Sequence, residues 1–402
     1  MAAPSSATTS APELPKVDIK PLLSRLWPLG HADPVTADEI AQAIAYFFTN
    51  QVSDVQASSL LIALHFTGLD RHADVLAKTA AAMLEAAAKV DVEELRDAIS
   101  STPRQEGAYQ GGLVDIVGTG GDSHNTFNIS TTASILCSSQ LLIAKHGNKA
   151  STSKSGSADL LAHSHLPRPP QIDRVRPSTL TTLYRRTNYA FLYAPVFHPG
   201  MRHVAPLRRQ LPWRTIFNLV GPLANPADAL LEARLIGTAR KDLGPVFAEA
   251  LRLAGAAKAL VVCGDEELDE LSCAGDTLCW RVTGEGVEHF RLHPRDFGLP
   301  PHPLSEVSPG KEPAENAAIL ARILRGEVPE EDPILHFVLM NAAALFVTSG
   351  ICEAETEETV AERGPGGGRW KEGVRRARWA ITSGEALRQW EGFVEATNGF
   401  SE

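Results

Sequence analysis

The segment Gly112-Leu-Val-Asp-Ile-Val-Gly-Thr-Gly-Gly-Asp122 is the strongest indication of the fold class of this chain. Its first half is a short apolar run typical of a buried β-strand, and the glycines that follow end the strand and open a loop. The next segment, residues 131–139, has the small and apolar side chains of a helix. A strand, a glycine-rich loop and a helix in this order predict an α/β unit whose loop carries functional groups.

Three further apolar runs continue this alternation, at residues 141–144, 233–239 and 258–264. Helical segments lie between them, which is the pattern of strands joined by helices in a parallel sheet. We therefore predict the fold class α/β for residues 112–402, with a mostly parallel central sheet flanked by helices. Parallel strands end at one edge of the sheet, so a ligand site is expected in the loops after the strands.

The amino-terminal part has only helical patterning. Thr36-Ala-Asp-Glu39 and Ser53-Asp-Val-Gln56 each have the sequence of a capping box before an apolar run. These signals predict a small all-helical domain over residues 17–101, and we expect residues 175–210 to pack against it. Residues 1–16 are rich in Ser, Thr, Pro and Ala and predict a disordered tail.

Two later segments differ in amino-acid composition from the rest of the α/β region. Residues 284–313 are rich in Pro and Gly and predict a long irregular excursion. Residues 353–368 are acidic and then glycine-rich, which predicts an inserted, solvated surface loop.

The overall composition excludes several classes of protein. A net charge of −10 argues against a general nucleic-acid binder, which needs an excess of cations. No apolar run reaches the ~20 residues that span a bilayer, so we expect no membrane partner and a cytoplasmic location. The cysteines lack Cys-x-x-Cys spacing and predict free thiols in a reducing compartment; they are Cys137, Cys263, Cys273, Cys279 and Cys352.

Two loops after predicted strands carry groups suited to phosphate. Gly118-Thr-Gly-Gly-Asp122 allows backbone N–H groups to approach an anion closely, and Asn128-Ile-Ser-Thr131 adds donors at the start of the next helix. The spacing is not that of a Walker loop. Lys145-His-Gly-Asn-Lys149, followed by the hydroxyl-rich residues 151–157, suits a second oxyanion contact. A tight turn and a solvated Ser-rich turn are the alternative interpretations.

Several motifs of this chain occur together, in this order, in one known enzyme family. They are Gly118-Thr-Gly-Gly-Asp122, Asn128-Ile-Ser-Thr131, Lys145-His-Gly-Asn148, Gly156-Ser-Ala-Asp159, His198-Pro-Gly-Met-Arg202, Arg208, Arg214-Thr-Ile-Phe-Asn-Leu-Val-Gly-Pro-Leu-Ala-Asn-Pro226, Leu268-Asp-Glu270, Glu315-Asn-Ala317 and Asn341-Ala-Ala-Ala-Leu345. Over residues 18–400 the chain resembles the anthranilate phosphoribosyltransferases. One departure is Lys149, where the family usually has Arg.

The resemblance implies an enzyme of tryptophan biosynthesis that transfers the phosphoribosyl group of phosphoribosyl pyrophosphate (PRPP) to the amine of anthranilate. It implies Mg²⁺ as the cofactor, bound by Asp269 and Glu270 with Ser130 at a second ion, and a homodimer formed through the helical domain. The residues implied to bind PRPP are Gly118, Gly121, Asp122, Thr126, Asn128, Ser130, Thr131, Lys145, Ser153 and Ser157.

The same resemblance implies an anthranilate site, in which Arg208 pairs with the substrate carboxylate through its guanidinium fork. Lys145, His198 and Arg208 are the candidate catalytic residues. The residues implied to line the anthranilate site are His146, Asn148, His198, Arg208, Gly221 and Pro222.

Taken singly, these residues have simpler interpretations. Asp269 and Glu270 fit the first turn of a helix, His198 fits a packing role, and Arg208 fits a surface ion pair. For the whole chain, the alternatives are an enzyme similar to pyrimidine nucleoside phosphorylases, a non-catalytic nucleic-acid-binding relative, and a structural oligomer-forming protein. The shared order of the motifs favours the transferase.

Overall fold

The computed structural model describes residues 14–27, 33–101, 104–150, 154–308 and 312–401. Most of the predicted tail, residues 1–13, lies outside these ranges. Lys16 lies against the helical part, since its Nζ donates a 2.6 Å hydrogen bond to the carbonyl of Asn50. In the described part of the chain, no helix is long and apolar enough to cross a membrane.

The amino-terminal part is helical, as predicted. Thr36 and Glu39 form a reciprocal capping box. The second predicted box is wrong: Ser53 caps the helix, but the side-chain oxygen of Gln56 accepts a 2.9 Å hydrogen bond from the backbone of Ile19 instead. The helices are α1 (Lys20–Leu26), α2 (Ala37–Phe48), α3 (Asp54–Thr67), α4 (Ala73–Glu85) and α5 (Val92–Ser100).

The remaining residues form a sheet with helices on both faces, and the α/β fold class is confirmed. In the described residues the sheet has seven strands in the order β3-β2-β1-β4-β5-β6-β7. The first five of them in chain order run parallel. The strands are β1 (Leu113–Gly118), β2 (Leu142–Gly147), β3 (Tyr189–Tyr193), β4 (Leu231–Gly237), β5 (Lys258–Gly264), β6 (Thr277–Thr283) and β7 (Gly286–Leu292).

The irregular excursion predicted for residues 284–313 is wrong in its first part. Residues Gly286–Leu292 form β7, which pairs antiparallel with β6 along its whole length. The strand lies at the sheet edge, and most of its residues are partly or fully exposed. An exposed edge strand can carry polar side chains on both faces, so its composition does not predict a strand.

The helices of this part cover the two faces of the sheet. Helices α6 and α14 pack on the face near β1 and β4, whereas α11 packs on β5 and β6 and contacts α4. The helices are α6 (Ile129–Cys137), α7 (Ser157–Ala162), α8 (Leu180–Tyr184), α9 (Ala194–Phe197), α10 (Met201–Gln210), α11 (Leu243–Leu253), α12 (Leu304–Val307), α13 (Pro313–Leu324), α14 (Pro333–Ser349), α15 (Trp370–Thr382) and α16 (Glu385–Gly399).

Two features of this arrangement position the site. Strand β1 lies between β2 and β4, so the chain leaves β1 toward one side of the sheet and later returns on the other. Such a switch point opens a crevice at the carboxyl ends of the strands. Helix α10 packs on α2 and α3, which brings residues of the helical part to the same edge.

The segment 353–368 is mostly exposed, and ion pairs hold it to its neighbours. Arg363 pairs with Glu353, and Arg369 pairs with Glu355 at 2.6 Å. A Cβ atom on Gly366 would lie 2.7 Å from the Phe290 ring, so only glycine fits against that ring. The segment therefore lies along β7, the strand at the outer edge of the sheet.

Candidate active site

A cavity of about 560 Å³ opens at the carboxyl ends of β1 and β2. The predicted residues that line it are Gly118, Gly121, Asp122, Thr126, Asn128, Ser130, Lys145, Ser157, Asp269 and Glu270. Thr131 lies behind the wall, where its hydroxyl donates a 2.8 Å hydrogen bond to Ser157 Oγ. Ser153 lies outside the described residues.

The glycine loop after β1 lies against the half-buried Asp269. The Gly120 N–H donates a 2.6 Å hydrogen bond to Asp269 Oδ2. A Cβ atom on Gly118 would lie 2.3 Å from the same oxygen, so a larger residue at 118 would displace the carboxylate. The loop glycine therefore has a steric role in addition to its place beside the cavity.

Asp269 and Glu270 lie in an irregular segment after β5, so the alternative of a helix N-terminus is wrong. Burial raises the pKa of Asp269 to about 8, and the neighbouring charge of Asp122 adds to the effect. Burial, followed by the charge of Asp269, also raises the pKa of Glu270 well above its usual range. Adjacent half-buried carboxylates of this kind attract a cation.

The hydrogen bonds of Glu270 leave one oxygen without a partner. Its Oε1 accepts a 3.3 Å hydrogen bond from the Ser130 backbone, whereas the buried Oε2 has no partner in the described residues. No cluster of three or more His, Cys, Asp or Glu with metal-binding geometry occurs in that part of the chain. The residues present fit an ion held by two carboxylates and completed by water or substrate oxygens.

Lys145 provides a buried positive charge in the wall of the same cavity. Its side chain is 1% exposed, and Nζ donates a 3.2 Å hydrogen bond to the carbonyl of His146. Burial lowers the pKa of Lys145, while the nearby carboxylates, Asp115 first among them, act in the other direction. A buried ammonium with a weak protein partner is suited to an anionic ligand.

A second cavity, of about 460 Å³, adjoins the first. The two cavities share residues 117–119 and 146–149 as a common wall. Met83 of α4 and Phe217 contribute apolar surface to the second cavity. The predicted residues that line it are His146, Asn148, His198, Arg208, Gly221 and Pro222.

Two histidines face each other in this second cavity. The rings of His146 and His198 have centroids 5.1 Å apart. Burial lowers the pKa of His198 to about 4, and burial also lowers that of His146 well below its usual range. Both imidazoles are therefore neutral near pH 7. Within the described residues, His198 Nδ1 and His146 Nε2 have no hydrogen-bond partner.

Arg208 does not form the surface ion pair of the simpler interpretation. It lines the second cavity, and no carboxylate of the described residues lies within ion-pair distance of its guanidinium. Burial lowers its pKa, and the charge of Arg214 acts in the same direction. An arginine without a carboxylate partner inside a cavity is suited to an anionic group on a ligand.

The structure brings to the site several residues that were not predicted there from the sequence. Arg214 lines the first cavity, and Asn316 of α13 donates a hydrogen bond to Asn128. Both belong to motifs that carried the resemblance, so their place in those motifs was a signal. Met83 and Phe217 had no such signal, because apolar residues are common in any core.

Comparison with known families covers both parts of the chain. Residues 20–87 match the helical bundle domain of a glycosyl transferase family, and residues 110–387 match its a/b domain. The anthranilate phosphoribosyltransferase of Schizosaccharomyces pombe is 39% identical over 352 residues, which are 87% of this chain and 90% of that protein.

Solved structures agree with this relationship. The anthranilate phosphoribosyltransferase of Saccharomyces cerevisiae in complex with PRPP and Mg has a TM-score of 0.79 and 33% identity, over 94% of this chain and 96% of that one. The same enzyme with 4-fluoroanthranilate has a TM-score of 0.77 and 30% identity, over the same shares. The chain therefore belongs to this glycosyl transferase family and, within it, to the anthranilate phosphoribosyltransferases.

Proposed function

We propose that this protein transfers the phosphoribosyl group of PRPP to the amine of anthranilate and releases pyrophosphate, a step of tryptophan biosynthesis. The observation that carries this proposal is the pair of adjoining cavities with different chemistry. One has a glycine loop, half-buried carboxylates and a buried lysine, and the other has apolar walls and an arginine without a carboxylate partner. A phosphorylated sugar and an aromatic acid fit these two environments.

PRPP occupies the first cavity in this proposal. The amide groups of the glycine loop and the donors at the start of α6 lie where the helix dipole favours phosphate. Lys145 and Ser157 contact the phosphates from the β2 side. The PRPP-binding residues are Gly118, Gly121, Asp122, Thr126, Asn128, Ser130, Thr131, Lys145 and Ser157, together with Ser153 from outside the described residues.

Asp269 and Glu270 would hold Mg²⁺ beside the PRPP phosphates, and Ser130 would contribute to a second ion. When bound, the ion neutralises charge on the pyrophosphate as it leaves. The partnerless Glu270 Oε2 supports this assignment, because a cation can bind a buried carboxylate oxygen that accepts no hydrogen bond. Lys145 supplies further positive charge to the leaving group.

Anthranilate occupies the second cavity. Arg208 binds its carboxylate in a fork, and Asn148, His146, Gly221 and Pro222 form the walls around the ring. The shared wall at residues 117–119 and 146–149 then places the amine toward the ribose carbon. Orientation of two substrates in this way contributes as much as ~7–11 kcal/mol in favourable cases.

The bond changes need little acid–base chemistry before attack. The aryl amine is neutral at pH 7, so its lone pair forms the N–C1 bond as the C1–O bond breaks and its electrons pass to pyrophosphate. The amine proton leaves after attack, and the neutral His198 accepts it or orients the amine. We expect inversion at the anomeric carbon and no covalent intermediate. A trapped sugar–enzyme adduct would contradict this.

An assay of anthranilate fluorescence tests the proposal. Purified protein with PRPP, Mg²⁺ and anthranilate should consume the fluorescence, and omission of the metal should prevent the loss. The double variant Asp269→Ala, Glu270→Ala should be inactive while it remains folded. No loss of fluorescence with folded wild-type protein would refute the proposal, and phosphorolysis of pyrimidine nucleosides would then be assayed.

We also propose a homodimer formed through the helical domain. Trp27, Val55 and Phe66 are large apolar side chains that are 64%, 77% and 65% exposed. Val55 and Phe66 are eleven residues apart on α3 and so lie on the same helix face, and α1 packs beside α3. Sedimentation equilibrium should show a dimer that Val55→Glu with Phe66→Glu converts to a monomer; a monomeric wild type would refute this.

A further inference from the structure

The side chain of Arg214 donates hydrogen bonds to two backbone carbonyl groups of the glycine loop. Arg214 lies in the turn between α10 and the short helix at Ile216–Asn218. Its Nη2 donates hydrogen bonds to the carbonyl of Gly120 at 2.9 Å and to that of Thr119 at 3.4 Å. These contacts fix the direction of two consecutive peptide planes in the loop.

The geometry of those planes determines where the loop N–H groups point. In a trans peptide the C=O and N–H bonds point in opposite directions. The N–H opposite the Thr119 carbonyl is that of Gly120, which bonds to Asp269 Oδ2 at 2.6 Å. The N–H opposite the Gly120 carbonyl is that of Gly121, which points away from Arg214 and has no hydrogen-bond partner among the described residues.

The packing around Gly121 leaves no room for a side chain at this position. A Cβ atom at this position would lie 1.5 Å from Arg214 Nη1, and the residue has a φ of +85°. The residue before Arg214 contacts the helical part, because the ring of Trp213 stacks on that of His65 in α3, with centroids 6.2 Å apart. Arg214 is therefore tied to the helical part through the adjacent residue.

Arg214 and Arg208 face different substrates. Arg214 lines the first cavity and Arg208 lines the second, and neither lines both. In the described part of the chain, the Arg214 guanidinium has no carboxylate within ion-pair distance. Its charge is thus directed to the loop carbonyls and not to a structural ion pair.

We propose that Arg214 is a positioning residue, which holds the Thr119 and Gly120 carbonyls so that the free Gly121 N–H faces a phosphate oxygen of PRPP. This inference rests on the proposed function. Arg214 acts through the loop, so its loss should weaken PRPP binding and leave anthranilate binding unchanged.

The test compares Arg214→Gln and Arg214→Lys with the control Arg209→Gln, which removes an exposed arginine of α10. We expect Arg214→Gln to raise the KM for PRPP about tenfold or more, with the KM for anthranilate within about twofold. Arg214→Lys should raise the KM for PRPP less than Arg214→Gln does, because the lysine ammonium can donate to the same carbonyls. Melting temperatures report whether the variants are folded.

A double-variant cycle with Gly120→Ala separates positioning from direct contact, because a Cβ atom at residue 120 strains the loop backbone but meets no atom within 4 Å and leaves Arg214 in place. If Arg214 acts through the loop, the two effects on the KM for PRPP should combine to less than their product. A full product would mean that Arg214 contacts the substrate itself and would overturn the proposal. An unchanged KM for PRPP in Arg214→Gln, or a rise in the KM for anthranilate, would also overturn it.

Calorimetric titration of PRPP with Mg²⁺ gives the same ranking of variants without turnover. Wild-type protein that binds PRPP but does not consume anthranilate would contradict the proposed function alone. Wild-type activity with an Arg214→Gln variant that binds PRPP normally would contradict the inference alone.

Discussion

The side-chain amide of Asn316 donates a 3.0 Å hydrogen bond to the side-chain oxygen of Asn128. The same oxygen accepts a 2.9 Å hydrogen bond from Ser155 Oγ, and Asn128 Nδ2 donates at 2.8 Å to the Ser155 carbonyl. One asparagine at the start of α6 therefore joins α13 to the loop after β2. Asn316 is 3% exposed, so water cannot replace its amide.

We predict that Asn316→Leu raises the KM for PRPP about tenfold and destabilises the fold by about 1–3 kcal/mol, because Asn128 loses a buried donor. Steady-state kinetics and urea unfolding measure both effects. Arg322→Gln, on the exposed face of the same helix, is the control and should change neither. An unchanged KM for PRPP in Asn316→Leu would contradict the prediction, because Asn128 would then keep its position without the Asn316 amide.

Arg208 should determine the affinity for anthranilate. Arg208→Gln removes the only charge assigned to the substrate carboxylate, so the KM for anthranilate should rise about tenfold to a hundredfold, with the KM for PRPP within about twofold. Arg208→Lys should lie between the two, because it keeps the charge but loses the fork. If Arg208→Gln and Arg209→Gln changed the KM for anthranilate equally, Arg208 would not be the residue that binds the substrate carboxylate.

Removal of the metal should be visible in thermal stability. Mg²⁺ with PRPP should raise the melting temperature of the wild type, since a ligand that binds only the folded state stabilises it. Chelation should abolish this increase, and Glu270→Gln should show a reduced one. Glu266→Gln, in the same segment, is a control that should keep it. If Glu270→Gln showed the same increase in melting temperature as the wild type, Glu270 would not bind the metal.

The buried histidines should make the fold sensitive to acid. The pKa of His198 is about 4 in the folded chain, against an ordinary histidine value of 6.5, so the unfolded chain binds more protons between these two pH values. Stability should therefore be complete above pH about 6.5 and fall as the pH drops toward about 4, by up to about 3 kcal/mol from His198.

Urea unfolding at pH about 7 and about 5 measures this loss. His198→Gln should reduce the difference between the two pH values, while His163→Gln, at an exposed position, should not. The lowered pKa of His146 acts in the same direction, so part of the pH dependence should persist. A slope that His198→Gln leaves unchanged would contradict the burial argument.

The sequence predicted the elements around the glycine loop because their signals are local. An apolar run, a glycine that ends it and a helix start lie within residues 112–139, and each depends on near neighbours. The order of the motifs then predicted the family, which the comparisons confirm. The strand β7 was missed because an exposed edge strand has no apolar alternation.

The sequence on its own predicts the α/β class, the glycine loop and most of the polar residues that line the two cavities, but not Arg214 or Asn316 as part of the site. Which of these residues meet depends on the tertiary structure. Asp269 touches Gly120 across 149 positions of the chain, and Asn316 touches Asn128 across 188. Burial of Asp269, Glu270 and Lys145 changes their charge chemistry, and burial depends on every element packed around them, which no local pattern contains.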